Sequence, residues 1–169
     1  MKIIFVDGYN VINSWGNLKR EKETSLDSAR QKLVDILHNY GAINGCKIVI
    51  VYDGHKVTGN IENKYEHNKN LLVVFTKDGE TADAYIEREV HNLGRRFEVY
   101  VVTSDSLEQQ TIFQRGAVRI SSVEFYNLVR VDIEDVKKSS KKARVSAKNT
   151  LEDNLDDDVL RKLEAIRRS

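Results

Sequence analysis

The feature that most constrains the fold is a short apolar run near the start of the chain that ends in a carboxylate. Residues 2–7 read Lys-Ile-Ile-Phe-Val-Asp, and Gly8 follows them. A short, β-branched apolar run bounded by a glycine turn is typical of a buried strand. Asp7 would then lie at the carboxyl edge of a sheet, which is where open parallel sheets bind their ligands.

Acids follow three later apolar runs in the same way. They are Asp53, Glu80 together with Asp83, and Asp105. Stretches with apolar residues at helical spacing separate the runs, which predicts strands and helices in alternation. This order favours an α/β fold with a mostly parallel central sheet of about five strands, flanked by helices and joined by right-handed crossovers.

The predicted elements follow from apolar period and turn residues. The predicted strands are 2–7, 47–52, 71–75, 97–103 and 117–120. The predicted helices are 25–40 with a stop at Gly41, 80–93 with a stop at Gly94, 104–113, 121–138 and 155–166. Residues 11–15 are expected to form a short connection, 17–23 an exposed polar stretch, and 55–70 a mobile loop with a short helix near 62–67.

The carboxylates predict a metal site. A single Asp after a strand is a common turn former or N-cap, but like charges gathered at one sheet edge repel each other unless a cation neutralises them. Hard oxygen ligands suit Mg²⁺ or Mn²⁺. Such an ion generates a nucleophilic water and stabilises the charge that develops on a phosphodiester during in-line attack.

Each acid has an expected place. Asp7 ends the predicted middle strand and would be the central ligand, with Asp105 beside it across the switch point and Asp83 in the first turn of the crossing helix. Glu80 lies three residues before Asp83 and would share its helical face. Asn10 is close enough in sequence to Asp7 to orient a ligand or a water.

Two further residues stay open. Asp53 is explained equally well by an Asp-Gly turn. His55 follows it by two residues and would face the edge of the site, where it could touch substrate. The four histidines are spread along the chain and do not form a ligand set.

A local basic stretch is hidden by a formal net charge of only +1. Six cations with no acid among them lie within residues 137–148: Lys137, Lys138, Lys141, Lys142, Arg144 and Lys148. They either solvate a helix end or pair with the phosphates of a single-stranded nucleic acid. No aromatic residue interrupts them, so they would read little sequence. Residues 1–136 are predicted to form the main domain, and 137–169 a loosely ordered basic segment with a C-terminal helix.

Composition excludes several classes of protein. No apolar run approaches the roughly 20 residues that span a bilayer, and the first residues lack the length of a signal peptide. The single cysteine, Cys46, cannot form an internal disulfide and suits a reducing cytoplasm. A second Asp two residues after Asp7, which haloacid-dehalogenase chemistry uses, is replaced by Tyr9, and no G-x-G-x-x-G follows the first strand. We expect a cytoplasmic protein, with a monomer favoured.

A family resemblance now rests on an ordered set of motifs. Val6-Asp-Gly-Tyr-Asn10, Glu80-Thr-Ala-Asp83, Thr103-Ser-Asp105 with Glu108-Gln109, and Gly116-Ala117 with Arg119 resemble the motifs of the YacP-like branch of the NYN domain, a PIN-like nuclease fold. The resemblance covers nearly the whole chain. It implies metal-dependent endonucleolytic cleavage of RNA, with Asp7, Asp83 and Asp105 as the acidic core and Glu80 as a further member. Similarity to ribosome-associated endoribonucleases of Gram-positive bacteria implies that the substrate is mRNA in the ribosomal A site.

A second class of function stays open at this point. A catalytically idle RNA-binding or ribosome-binding module would keep the same acids for structure alone. Loss of all cleavage in Asp7→Asn, with folding and binding retained, would separate the nuclease from the module.

Overall fold

A computed structural model describes residues 1–54, 62–104 and 116–154, together with Lys162, Ala165 and Arg167. Side chains are described as far as Ser146 in the last long helix. The backbone divides into two compact units, Met1–Arg130 and Val131–Ser169. The domain boundary expected after residue 136 stays a prediction. No helix in the described part of the chain is long and apolar enough to cross a membrane.

The first unit is built on a six-stranded sheet in the order β3-β4-β2-β1-β5-β6. All neighbouring pairs are parallel except β3 and β4, which pair antiparallel. The α/β prediction with a mostly parallel sheet is therefore confirmed. The strands are β1 (Lys2–Asp7), β2 (Lys47–Tyr52), β3 (Asn63–Asn68), β4 (Leu71–Phe75), β5 (Glu98–Val102) and β6 (Val118–Ile120).

Helices cover both faces of the sheet. α4 packs its buried residues, such as Tyr85 and Ile86, against Ile3 and Phe5 of β1 and Val49 of β2. The alternate residues of each strand point to the opposite face of the sheet, which α3 covers. The helices are α1 (Gly8–Ser14), α2 (Gly16–Thr24), α3 (Leu26–Asn44), α4 (Ala82–Leu93) and α5 (Ser122–Asn154), with a 3₁₀ turn at Gly94–Arg96.

The prediction for residues 55–70 is wrong where it can be compared with the structure. Residues 63–68, expected as loop or helix, form the edge strand β3, which turns through Lys69-Asn70 into β4. An edge strand has one pairing partner and is mostly exposed here, so Tyr65 is the single hydrophobic residue in its sequence and no apolar run marks it. The predicted loop residues 55–61 lie outside the described residues.

The early helices were also missed. Residues 11–15 lie largely within α1 and residues 17–23 within α2, although neither was expected to be helical. Both helices are short, and α2 buries only Leu18, so the apolar period that identifies a helix is weak in them. α3 begins after Ser25, whose hydroxyl caps it as predicted.

Two helix ends differ from the predictions for distinct reasons. α3 continues past Gly41, which packs so closely that an added Cβ would lie 3.3 Å from the Cys46 carbonyl oxygen, and Gly45 with φ of 61° ends the helix instead. The long helix α5 continues to Asn154 instead of ending near residue 138. Residues 137–148, expected to be loosely ordered, are helical because Lys, Ala and Arg are good helix formers and no glycine or proline interrupts them.

Candidate active site

Asp7 both caps a helix and lines a cavity. It ends β1, and its side chain caps α1 by accepting a hydrogen bond of 3.3 Å from the Asn10 backbone amide. The turn is tight because Gly8 lies against a buried ring: a Cβ there would come within 2.3 Å of Tyr52 Cε1. The fold therefore fixes the carboxylate at the carboxyl edge of the central strand, as the sequence predicted.

Asp83 reaches the same edge from a helix. Thr81 caps α4 through its hydroxyl, which accepts from the Ala84 amide at 3.1 Å, so Asp83 lies in the first turn. A carboxylate in that position is stabilised by the helix dipole. α4 begins at Ala82, two residues later than predicted.

Asp53 joins them at the end of β2. The next residue is fixed by a short network in which the Gly54 amide donates to Thr76 Oγ1 at 2.9 Å and that hydroxyl donates to the Glu80 carbonyl at 2.7 Å. The exits of β2 and β4 are thus tied together. Asp53 lines the same cavity as Asp7 and Asp83, and the choice between a turn former and a site residue stays a prediction.

We call this space the acidic cavity. Its volume is about 390 Å³. It is lined by Asp7, Tyr9, Asn10, Asn13, Lys22, Leu26, Asp53, Ala82 and Asp83. The carboxylates come from the ends of two parallel strands and the start of a helix, which is the location expected for a ligand site in an open sheet.

Asn10 holds the cavity wall together. Its side-chain amide donates to Ser104 Oγ beyond β5 at 2.5 Å, and its carbonyl oxygen accepts from Ser122 Oγ at the start of α5 at 2.6 Å. The indole of Trp15 donates to the Ser122 carbonyl at 2.8 Å. Asn10 therefore links three chain segments that are distant in sequence, and this role comes in addition to the ligand-orienting role expected for it.

Lys22 and Asn13 were missed by sequence reasoning. Lys22 of α2 places a cation on the wall of the acidic cavity, and its ammonium donates to Asn13 Oδ1 at 2.9 Å. Asn13 lies in the segment expected to be a connection, and Lys22 in the stretch expected to be polar and exposed. No sequence signal indicated that α1 and α2 fold back along the edge of the sheet.

Glu80 is engaged elsewhere. One oxygen of its largely buried carboxylate pairs with Arg88 of α4 at 2.8 Å, and Arg88 also reaches Glu62 at 3.1 Å. Glu80 is not among the residues that line the acidic cavity. The structure thus brings Asp7, Asp53 and Asp83 together and gives Glu80 an ion pair outside that set.

Asp105 lies outside the described residues, as do His55 and the pair Glu108-Gln109. The strand before Asp105 is placed as predicted. β5 pairs parallel with β1, and Val102 is opposite Val6, so the chain leaves β5 beside the exit of β1.

The donor set fits a hard divalent cation by chemistry, because it consists of carboxylate oxygens. Within residues 1–54, 62–104 and 116–146, no three His, Cys, Asp or Glu side chains come close enough to hold one ion together. Asp7 and Asp83 therefore remain two carboxylates that would need a third ligand or waters to complete a site.

The basic side chains lie in the second unit. Those of Lys137, Lys138, Lys141, Lys142 and Arg144 are all exposed on α5. Residues 137, 141 and 144 lie at the i, i+4, i+7 spacing of one helical face. Four of these five cations, all except Lys142, line a groove of about 490 Å³ together with Glu134.

Comparisons with known proteins agree over nearly the whole chain. The YacP-like NYN domain family matches residues 4–168. The uncharacterized protein YacP of Bacillus subtilis (strain 168) is 36% identical over 169 residues, which are 99% of this chain and 98% of that protein.

Solved structures give the same relationship. The crystal structure of Rae1 (YacP) from Bacillus subtilis has a TM-score of 0.73 and 35% identity, covering 100% of this chain and 96% of that one. A point mutant of Rae1 matches at a TM-score of 0.73 and 33% identity, over 86% of this chain and 85% of its own. The resemblance deduced from the motifs is confirmed, and the protein belongs to the YacP-like NYN domain family.

Proposed function

We propose that this protein is a metal-dependent endoribonuclease that cleaves mRNA in the A site of the translating ribosome. The observation that carries the proposal is the convergence of Asp7, Asp53 and Asp83 in one cavity at the carboxyl edge of the sheet. Membership of the NYN family, whose PIN-like domains suggest nucleases, supports the same chemistry.

The acids would hold the ion, and the remaining groups would hold the RNA. Asp7 and Asp83, with Asp105, would bind Mg²⁺ or Mn²⁺, which supplies an activated water and stabilises the charge that develops on the phosphodiester. Lys22 would pair with a phosphate oxygen, because it lies on the cavity wall and its ammonium donates a hydrogen bond to Asn13 Oδ1. Asn10 keeps the Asp7 turn in place through Ser104 and Ser122.

The exposed cations of α5 would supply affinity for nucleic acid. Each neutralised phosphate of a single strand releases counterions, with a log–log salt slope of roughly 0.7. The contacts would be to the backbone, because no aromatic residue lies among residues 137–148. The ribosome and the A site as partners, and with them a cytoplasmic location, are proposed from the family resemblance.

A second candidate is an RNA-binding or ribosome-binding module without catalysis. The observation that favours it is the structural role of Asp7, whose side chain caps α1 by accepting a hydrogen bond from the Asn10 amide. Both candidates share the basic helix, so only the fate of the RNA distinguishes them.

The test is cleavage of one mRNA by purified full-length protein with Mg²⁺, as naked RNA and on translating ribosomes. Asp83→Asn is the test variant. Asp35→Asn is the matched control, because Asp35 is exposed on α3 and accepts a hydrogen bond from Gln31 of the same helix. Cleavage on ribosomes by the wild type and by Asp35→Asn, lost in Asp83→Asn, would support the proposal in full.

The other outcomes separate its parts. Cleavage of naked RNA at the same rate would keep the nuclease and remove the need for the ribosome. Ribosome binding without cleavage, both of naked RNA and on translating ribosomes, would favour the binding module over the nuclease. Equal cleavage by Asp83→Asn and the wild type would remove Asp83 from the metal site.

A further inference from the structure

A further concave surface lies on the α3 side of the sheet. It is a groove of about 430 Å³ between α3 and the strands β2, β3 and β4. We call it the aromatic groove, because Tyr52, Tyr65 and Phe75 line it together with Arg30 and Val34 of α3. None of these residues lines the acidic cavity.

The rings of the groove form a stepped platform. Phe75 stacks on Tyr52 with centroids 5.2 Å apart and planes at 26°, and it meets Tyr65 edge-on at 5.9 Å and 85°. The guanidinium carbon of Arg30 lies 5.5 Å from the centre of the Phe75 ring. Tyr65 is 59% exposed on the edge strand β3. A large exposed ring beside a stacked pair and an arginine offers flat faces of the kind on which unpaired bases stack.

The aromatic groove adjoins the acidic cavity at the side chain of Tyr9. Tyr9 lines the acidic cavity, its hydroxyl accepts a hydrogen bond of 2.9 Å from Arg30, and its ring lies 4.9 Å from that of Tyr52. Arg30 and Tyr52 line the aromatic groove. A strand with a phosphate in the cavity would therefore have a stacking surface on the other side of Tyr9.

Charge favours a base over a phosphate in this groove. Arg30 forms an ion pair with Asp27, and Glu66 also lines the groove. The acids oppose a phosphate anion, whereas a nucleobase carries no net charge and presents a π face. Stacking on aromatic rings and on arginine is tolerant of base identity.

We propose that the aromatic groove binds an unpaired nucleobase of the RNA strand that is cleaved, stacked on the exposed ring of Tyr65. The inference rests on the proposed function, because it names a subsite for the same substrate. It gives the protein a stacking surface that the basic helix lacks. Tyr65 is a substrate-binding residue in this arrangement and takes no part in the bond-breaking step.

The test measures binding of a fluorescein-labelled single-stranded RNA of about 12 nucleotides. Full-length protein is used with EDTA, so that the RNA stays intact. Tyr65→Ala should weaken binding about tenfold, and Tyr65→Phe should restore it because the ring is retained. The log–log salt slope should not change in either variant, since no phosphate contact is lost. Tyr100→Ala is the control, because Tyr100 lies on β5 against Lys2 and Glu98.

A second arm removes the base in place of the ring. RNAs that lack a single base are scanned along the sequence. At one position the wild-type affinity should fall to that of Tyr65→Ala, and Tyr65→Ala should show no further loss with the same RNA. This coupling would not arise from a merely structural role of Tyr65.

Failure of the groove and failure of the nuclease are distinguishable. The groove proposal would be contradicted if Tyr65→Ala bound RNA with wild-type affinity, or if its loss of affinity and the loss caused by the missing base were additive at every position. The nuclease proposal would still hold in that case if Asp83→Asn had lost cleavage. If the wild type neither binds this RNA nor cleaves mRNA on ribosomes, the groove proposal falls together with the proposed function.

Discussion

The acidic cavity and the basic face of α5 are both clusters of like charge, but they are held in place differently. Asp7 and Asp83 lie at the starts of helices, where backbone caps, strand ends and the buried ring of Tyr52 fix their positions. Lys137, Lys141 and Arg144 project from a helix and are exposed. Fixed charges can position a reaction, whereas exposed flexible ones contribute attraction that salt screens.

This contrast assigns different measurements to the two regions. A change in the acidic cavity should alter the rate of cleavage at constant affinity. A change on the basic face should alter affinity and its salt dependence at a constant rate of the bound complex.

The largest expected effect is on the chemistry itself. Asp83→Asn should lower single-turnover cleavage by at least about 100-fold, because removing groups that merely support a metal ligand already costs about 10–100-fold. The free energy of unfolding should stay near the wild-type value. Asp7→Asn should behave alike, since Asn caps a helix about as well as Asp. A variant that lost affinity for RNA but kept the cleavage rate would contradict the distinction between the acidic cavity and the basic face.

Packing beneath the acidic cavity gives the next effect. Gly8→Ala should reduce the free energy of unfolding by about 1–3 kcal/mol, since its Cβ would collide with the fully buried Tyr52 ring. Urea denaturation measures the loss. Gly16→Ala is the control, because a Cβ there meets nothing within 4 Å and alanine favours the helix. Equal stability of both variants would show that the turn after β1 is not rigid.

The basic face should respond in a graded way. Replacing Lys137, Lys141 and Arg144 by Gln should weaken RNA binding about tenfold and reduce the log–log salt slope by about 2. The matched control replaces Lys47, Arg95 and Arg96, which lie at the start of β2 and just before β5, at the amino edge of the sheet. A control that loses as much slope would mean that positive charge acts without regard to its place.

Glu80 sharpens the boundary of the acidic cavity. Its ion pair with Arg88 leads us to expect that Glu80→Gln lowers cleavage by less than about tenfold, well short of Asp83→Asn. Arg88→Gln, which removes the partner, should lower the free energy of unfolding more than loss of an exposed ion pair would, because the Glu80 side chain is only 11% exposed and would lose its cation. Cleavage in Glu80→Gln as low as in Asp83→Asn would return Glu80 to the catalytic set that the family resemblance implies.

The smallest effect concerns the ring beneath the turn. Burial raises the pKa of Tyr52, and the Tyr52 hydroxyl has no hydrogen-bond partner among the described residues. Above about pH 10 the unfolded chain loses this proton while the folded chain keeps it. The free energy of unfolding should therefore fall with rising pH, by up to about 1.4 kcal/mol per pH unit from this group.

Tyr52→Phe provides the measurement for that effect. It should flatten the alkaline loss of stability in denaturation curves collected between neutral and high pH. Near neutral pH its stability should equal or exceed that of the wild type, because an unpaired buried hydroxyl is removed. An unchanged alkaline slope would assign the loss to other groups, such as Tyr85, whose pKa burial also raises.

The sequence predicted the parts of the fold that are buried and the carboxylates that follow the buried strands. β2 and β4 have the predicted bounds, and Asp7 and Asp83 share one sheet edge because parallel strands buried on both faces are marked by continuous apolar runs. The carboxylates that follow such strands are then placed by topology. Of the motifs that indicated the family, Val6-Asp-Gly-Tyr-Asn10 lies at such a strand end.

The sequence did not predict the elements that are exposed. The edge strand β3 is polar and exposed, and α2 buries a single leucine, so neither has a hydrophobic period to detect. Lys22 enters the acidic cavity only because α2 folds back along the sheet edge, which no local pattern encodes. The ion pair of Glu80 with Arg88 likewise depends on α4 beginning at Ala82, two residues after Glu80.

The most direct test of the central claim is Mn²⁺ binding followed by electron paramagnetic resonance. It compares the wild type with Asp83→Asn and with the control Asp35→Asn, and needs no RNA and no ribosome. We expect the wild type and Asp35→Asn to bind Mn²⁺ alike, and Asp83→Asn to bind it at least about tenfold more weakly. Equal Mn²⁺ affinity in all three proteins, or none in the wild type, would contradict the claim that the acidic cavity is a metal site.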